Sequence, residues 1–304
     1  PAGSCTPAAA GIPAAVSVRL ILTILSGERR FDMPNVVFGL HPAASKRIIA
    51  QAVCRLPQVQ EAFAHGKIII GSGTTNVLVA EELLQTKFET FDPYVAGVIT
   101  QRSVCVTDPS QRKGNWCIEK GQLVDEPWVD FLNSFQPGDI FIKGANAIDP
   151  FGNAAILLAD SRGGTIGNAI GVIKARGVEL IMPVGLEKLI PSCLAGESKM
   201  GQFRTSMRLG MNMGYMVVTG ANIITEVESF KILFNAEAVP VAAGGVGGME
   251  GAVVLAVDCP DDKTAEQVIE LARTANRQSP IKVKRKRCSQ CEDPCQMFKF
   301  GEEE

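Results

Sequence analysis

Two hydrophobic periods run along this chain, and the switch between them marks its elements. Residues 67–70, Lys-Ile-Ile-Ile, form a short β-branched run between Gly66 and Gly71, which predicts a buried strand. Upstream, Ile48, Ile49, Ala52 and Val53 recur at helical spacing behind Pro42, a good first-turn residue, and the pattern stops at Leu56-Pro57. A second short helix is expected over 59–64. Downstream, Val77, Ala80, Leu83 and Leu84 share a helical face, and Thr74, Thr75 and Asn76 before them are N-cap types. Further strands are expected at 94–100, 139–143 and 178–182, with an apolar run at 154–158. Helices are expected at 129–135 and at 169–176, where Gly177 suits the C′ position. A hairpin around Lys120-Gly121 is expected between. Strands alternating with helices predict an α/β fold: a Rossmann-like parallel sheet covered on both faces by helices.

Beyond Pro191 the texture changes. Met200, Met207, Met211, Met213 and Met216 crowd one region, as adaptable core packing would. Strands at 214–219, 239–243 and 252–257, a glycine turn at 244–248, and helices at 227–234 and 265–274 suggest a smaller α+β module. Residues 1–32 differ from the rest. An Ala/Pro/Gly-rich start leads into a brief apolar run, but Arg29 and Arg30 follow that run, the reverse of a secretory signal. Codons for Gly27-Glu28-Arg29-Arg30 can spell a purine-rich ribosome-binding sequence ahead of Met33, so residues 1–32 are expected to be a non-native extension. Four spans result: 1–32, an α/β domain over 33–220, the small module over 221–280, and a basic, Cys-rich tail over 281–304.

The totals narrow the classes. A net charge of −2 over 304 residues argues against a nucleic-acid surface across the molecule. No apolar run reaches the roughly 18 residues of a membrane span, so no membrane partner is expected. Six of the nine cysteines are scattered, as in reduced cytoplasmic proteins. With two histidines, His41 and His65, a His-rich zinc site or a Ser-His-Asp triad has few ways to form. The remaining cysteines, Cys288, Cys291 and Cys295, follow C-x₂-C-x₃-C spacing, which supplies three soft ligands for zinc or an iron–sulfur cluster. Cys259 or a second subunit of a homo-oligomer is the expected source of a fourth. Lys282, Lys284, Arg285, Lys286 and Arg287 precede them; no aromatics interleave, so a solvated edge fits better than base stacking.

Candidate chemistry lies where strands end. Gly71-Ser72-Gly73-Thr74-Thr75 joins a strand to a helix start, where free N–H groups and the helix dipole favour an anion. Lys143 to Asp149 ends another strand, and Gly163-Gly164-Thr165-Ile166-Gly167-Asn168 is a second glycine-rich loop. Ligands of parallel sheets sit at these carboxyl ends. Lys143, Arg162, Asn146, Asn153 and Asn168 would make the pocket cationic and polar, suited to a phosphorylated or carboxylated metabolite. Each also has a plain reading. Lys143 can snorkel, Arg162 can pair with Asp160, and asparagines are common in turns. Glu226 and Glu250 are the nearest spare carboxylates in sequence, and no motif ties them to the pocket.

These stretches together resemble the superfamily of type A ribose-5-phosphate isomerase, glucosamine-6-phosphate deaminase and the CoA transferases, over roughly residues 43–277. The isomerase's Gly-x-Gly-Thr-Gly-Ser-Thr loop corresponds to Gly71-Ser72-Gly73-Thr74-Thr75. Its Asp-Gly-Ala-Asp-Glu and Asp-Pro correspond to Lys143-Gly144-Ala145-Asn146-Ala147 and Asp149-Pro150, and its Lys-Gly-Gly-Gly to Arg162-Gly163-Gly164-Thr165. The resemblance implies catalytic roles for Lys143, Asn146 and Asp149, and a ferredoxin-like small module. It also implies isomerase- or transferase-like chemistry. The departures argue against ribose-5-phosphate isomerisation itself. Lys143 and Asn146 replace motif aspartates, and the glutamate base has no counterpart among residues 167–171. A binding or redox- and metal-sensing protein on the same scaffold is the alternative reading.

Overall fold

Side-chain alternation along four short strands assigns the two faces of the central sheet. The structure, a computed structural model, describes residues 33–100, 103–291 and 295–296. The extension over 1–32 and most of the tail beyond Cys291 lie outside the described residues. The strands β1 (Asn35–Leu40), β2 (Lys67–Ile70), β3 (Gly97–Thr100), β4 (Ser103–Val106), β5 (Trp116–Glu119), β6 (Gln122–Leu123) and β7 (Ile140–Ile142) come first. After them come β8 (Ala147–Ile148), β9 (Ala154–Leu158), β10 (Glu179–Pro183), β11 (Gly214–Val218), β12 (Asn222–Ile224), β13 (Glu237–Ala243) and β14 (Val253–Asp258). The helices are α1 (Pro42–Cys54), α2 (Pro57–His65), α3 (Thr74–Leu83), α4 (Trp128–Asn133), α5 (Gly164–Arg176), α6 (Cys193–Glu197), α7 (Glu226–Phe234) and α8 (Asp262–Ala275).

The central sheet has the order β12-β10-β7-β2-β5-β6. Its first four strands are parallel, and β5 and β6 extend it antiparallel. It is therefore a mixed sheet. Ile68, Ile70, Ile140, Ile142 and Ile181 face α1, α2 and α3 through Ile49, Val53, Val59, Val77 and Leu83. Ile69, Phe141, Leu180 and Met182 face the other way, against Phe131 and Leu132 of α4 and Ile166, Ala169 and Ile173 of α5. Period 2 in the strands and burial on both faces explain why they read as unbroken apolar runs.

The small module is an antiparallel sheet, β1-β14-β13, packed on α8 and α7 through Leu40, Leu255, Val257, Phe230, Val268 and Ala272. Its edge strand β1 comes from the start of the described chain, while β12, at 222–224, belongs to the central sheet. Helix α1 serves both layers: Ile49 and Val53 point to the central sheet, Ala44 and Ile48 to the module. The stretch expected as one strand over 94–100 is instead a 3₁₀ turn at Asp92–Tyr94 followed by β3, which pairs with β4 outside the central sheet. Among the described residues, no helix is long and apolar enough to cross a membrane.

Candidate functional site

A cavity of about 310 Å³ opens at the carboxyl ends of β2 and β7. Its wall is drawn from Ser72 to Asn76, Lys143 to Asn146, Gly163 to Ile166 and Lys188, closed by Arg112 and parts of β3, β4 and β9. The three loops expected to act together do meet here, although β9, which leads to the second glycine loop, lies in a separate sheet with β11 and β8.

Both glycine loops end in helix starts. Gly73 is the N-cap of α3 and Gly163 that of α5, and neither helix has a side-chain cap. Thr74, Thr75 and Asn76 thus lie inside α3 rather than capping it, and Gly164 and Thr165 form the first turn of α5 rather than a loop before it. Gly163 has φ 87°, a left-handed conformation that glycine adopts without a Cβ clash. A helix start leaves its first N–H groups without intrahelical partners, and here no side chain fills them. Inside the α3 turn, Asn76 is fully buried; its Nδ2 donates to Gly71 O at 2.6 Å, while its Oδ1 has no partner. Ser72 is held by Asn115: its N–H donates to Asn115 Oδ1 at 3.0 Å.

Lys143 enters from the end of β7. Its Cδ lies 2.8 Å from where a Cβ on Gly71 would sit, so the absence of a side chain at Gly71 leaves room for the lysine stem. Its Nζ lies 3.4 Å from Ser72 O. Burial first, and the Lys188 ammonium second, push its pKa down to about 8. Lys188 follows β10 and donates to Ala145 O at 2.9 Å. Burial lowers its pKa too, opposed by Glu187 and Glu226. The sequence reading missed Lys188, which no local motif marks; it follows the carboxyl end of β10, where the strand-end rule applies.

Glu226, a spare carboxylate by sequence, is fully buried behind Gly185 and accepts from Leu186 N at 2.8 Å. Burial pushes its pKa up to about 7, against its hydrogen bonds. A Cβ on Gly185 would meet the Glu187 carboxylate and lie 3.2 Å from Glu226 Oε1, and Glu187 Oε2 and Glu226 Oε1 are both buried without partners.

Other expected site residues lie elsewhere. Asp149 does not line the cavity. It is buried in a turn, accepting from Phe151 N, Asn153 N, Asn153 Nδ2 and Cys193 N at 2.9–3.0 Å. Burial would raise its pKa; these four donors outweigh that and hold it low. Asn153 is thereby committed to the same turn. Asn146 lines the cavity, but its Oδ1 accepts from Leu157 N at 3.0 Å. Arg162 is exposed outside the wall; its N–H donates to Asp160 Oδ1 at 2.7 Å, a local turn contact. Asn168 is also exposed, its Nδ2 donating to Gly164 O.

The tail runs along β4: Lys286 N donates to Val106 O at 2.7 Å, and Arg285 Nη1 to Cys288 Sγ at 2.9 Å. Arg285 is buried rather than part of a solvated basic edge. Cys105 of β4, which lines the cavity, lies within electrostatic reach of Arg285, Cys288 and Cys291. Cys259 is buried in the small-module core instead. Cys295 is buried beside Gln296, whose N–H donates to Arg208 O. Among the described residues, no three His, Cys, Asp or Glu side chains converge as a metal would require. No protein-family model matches the chain, and no curated protein matches it in sequence.

Proposed function

We propose that this cavity binds a small anionic metabolite, phosphorylated or carboxylated, at the strand ends of a Rossmann-like scaffold, with isomerase- or transferase-like chemistry. One observation carries the reading. Two helix starts without side-chain caps and two lysines, Lys143 and Lys188, converge on a single cavity. Helix N-termini favour anions, and half-buried ammonium groups hold them more strongly than fully exposed lysines do. Thermal-shift titration with inorganic phosphate, then with sugar phosphates and small carboxylates, tests this. A saturable rise in melting temperature is expected; no response to any anion at millimolar concentration would overturn it.

A second reading, binding without turnover, is favoured by the carboxylates. Among the described residues that line the cavity only Asp160 is acidic, and its Oδ1 is already used by the Arg162 N–H. In that reading the tail thiols Cys288 and Cys291, beside the cavity-wall Cys105, report redox or metal state. Searching each bound metabolite for product separates the two readings.

A further inference from the structure

A lysine at a protein surface either pairs with a carboxylate or extends its ammonium to water. Lys143 is half-buried in the cavity wall and has no carboxylate partner among the described residues. Its stem is threaded past Gly71 into the cavity. Among the described residues the only hydrogen-bond partner of its ammonium is Ser72 O at 3.4 Å, and it forms no ion pair. Lys188, the second ammonium of the wall, faces it as a like charge. Behind Lys188 stand Glu187, Glu226 and Lys46.

That is the environment of a nucleophilic amine rather than of a structural cation. We propose that Lys143 Nζ condenses with the carbonyl group of a small anionic aldehyde or 2-oxo acid held in this cavity, a step that rests on the anion-site reading above. The amine lone pair attacks the carbonyl carbon and a C–N bond forms. The carbonyl electron pair moves to oxygen, which takes a proton to give a carbinolamine. Loss of that oxygen as water leaves the imine, so amine and carbonyl become C=N and H₂O with no change of oxidation state. The helix starts of α3 and α5 line the same cavity and offer N–H donors to the developing oxyanion or the substrate's own charge. Lys188, steadied by the carboxylates behind it, keeps the compensating positive charge. Burial and Lys188 bring the Lys143 amine down to about 8, so roughly one molecule in ten carries the free amine at pH 7.

The test treats the full chain with glyoxylate, or with neutral acetaldehyde, under borohydride, and maps modified lysines by peptide mass spectrometry. Melting temperature with inorganic phosphate is measured in parallel, on the wild type and on Lys143→Arg, which keeps the charge and cannot form the imine under these conditions. Expected is labelling by glyoxylate at Lys143 roughly tenfold or more above any other lysine, competed by phosphate and absent from Lys143→Arg. Labelling of Lys143 at parity with surface lysines, with phosphate still raising the melting temperature, overturns the imine and leaves the anion site standing. Equal labelling of Lys143 by glyoxylate and acetaldehyde, with no effect of phosphate, overturns the anionic substrate class instead.

Discussion

Gly71→Ala separates the cavity from the fold. Gly71 is buried between β2 and α3, its N–H donating to Ile142 O at 2.9 Å and its carbonyl accepting from Asn76 Nδ2. Its φ lies outside the left-handed region, so alanine adds no backbone strain. The added Cβ would meet Lys143 Cδ at 2.8 Å, and the next atom, Ile142 O, only at 3.4 Å. Carbon atoms prefer about 3.5–4.0 Å, so the lysine stem must retreat by roughly 1 Å. A flexible stem does this by leaving its rotamer, at about 0.5–1.5 kcal/mol. The ammonium then moves away from the bound anion, and a charge-assisted bond of about 1.5–3 kcal/mol is lost. Affinity for an anion should therefore fall roughly 10- to 150-fold, while urea unfolding shifts by only about 1 kcal/mol. Calorimetric titration with inorganic phosphate, beside urea melts, reads both quantities. Unchanged phosphate affinity in a stably folded variant refutes the reasoning. So does a loss of stability above about 3 kcal/mol with binding retained, which would make Gly71 a packing residue and nothing more.

Four further outcomes follow from the same geometry. Lys143→Met removes an ammonium held at a depressed pKa, so it should stabilise the protein by about 1–3 kcal/mol at pH 7. That gain should fade as pH rises from about 8 to 10.5, where the wild-type lysine loses its proton in both folded and unfolded states; urea melts at pH 7 and 10 check it. Glu226 has a folded pKa raised to about 7 from 4.5, so the stability it contributes is complete below about pH 4.5 and is lost as pH rises through 7, on the order of 3 kcal/mol. Glu226→Gln should flatten that slope, read as the difference between variant and wild type at pH 5 and pH 8. Asp149→Ala should cost about 2–4 kcal/mol in urea melts by orphaning the donors of Phe151, Asn153 and Cys193, an effect on folding first; unchanged stability would contradict it. Arg162→Ala should leave phosphate affinity within about twofold by calorimetry, because the side chain stands outside the cavity wall.

Local pattern carried most of the elements and part of the site. The run 67–70 was legible because three β-branched residues between glycines fit little else, and β2 has those bounds. The glycine loops were legible because turn chemistry is local. Pairing over long sequence separations was not. Nothing near Asn35 says that its strand pairs with β14, more than two hundred positions away. Nothing in residues 94–106 distinguishes a central strand from the β3-β4 hairpin, since both want the same alternation. The roles of single polar residues suffered in the same way. Asp149 matches a catalytic motif position by resemblance, yet one of its donors, the Cys193 N–H, comes from 44 positions downstream and makes it part of a turn. Cys105 reads in sequence as one scattered thiol, and only the path of the tail along β4 sets it beside Cys288 and Cys291.

Several features that local physics disfavours line the cavity or stand behind its wall. Lys143 and Lys188 are like charges crowded together with lowered pKa values. Asn76 Oδ1, Glu187 Oε2 and Glu226 Oε1 are buried acceptors without partners, each at a desolvation cost of about 1–3 kcal/mol. Gly73 caps a helix that a serine or aspartate would cap better by about a few tenths of a kcal/mol. Away from the cavity, α2 and α4 also start without a side-chain cap, whereas α7 carries a full capping box from Thr225 and Glu228 and α8 is capped by Asp261. A sequence shaped for stability alone would not crowd two half-buried lysines together. A ligand carrying negative charge would satisfy the helix starts and the lysines together. Its binding should therefore raise stability more than a single ion pair at the surface could, and the rise should shrink in Lys143→Met, where part of the cost has already been removed.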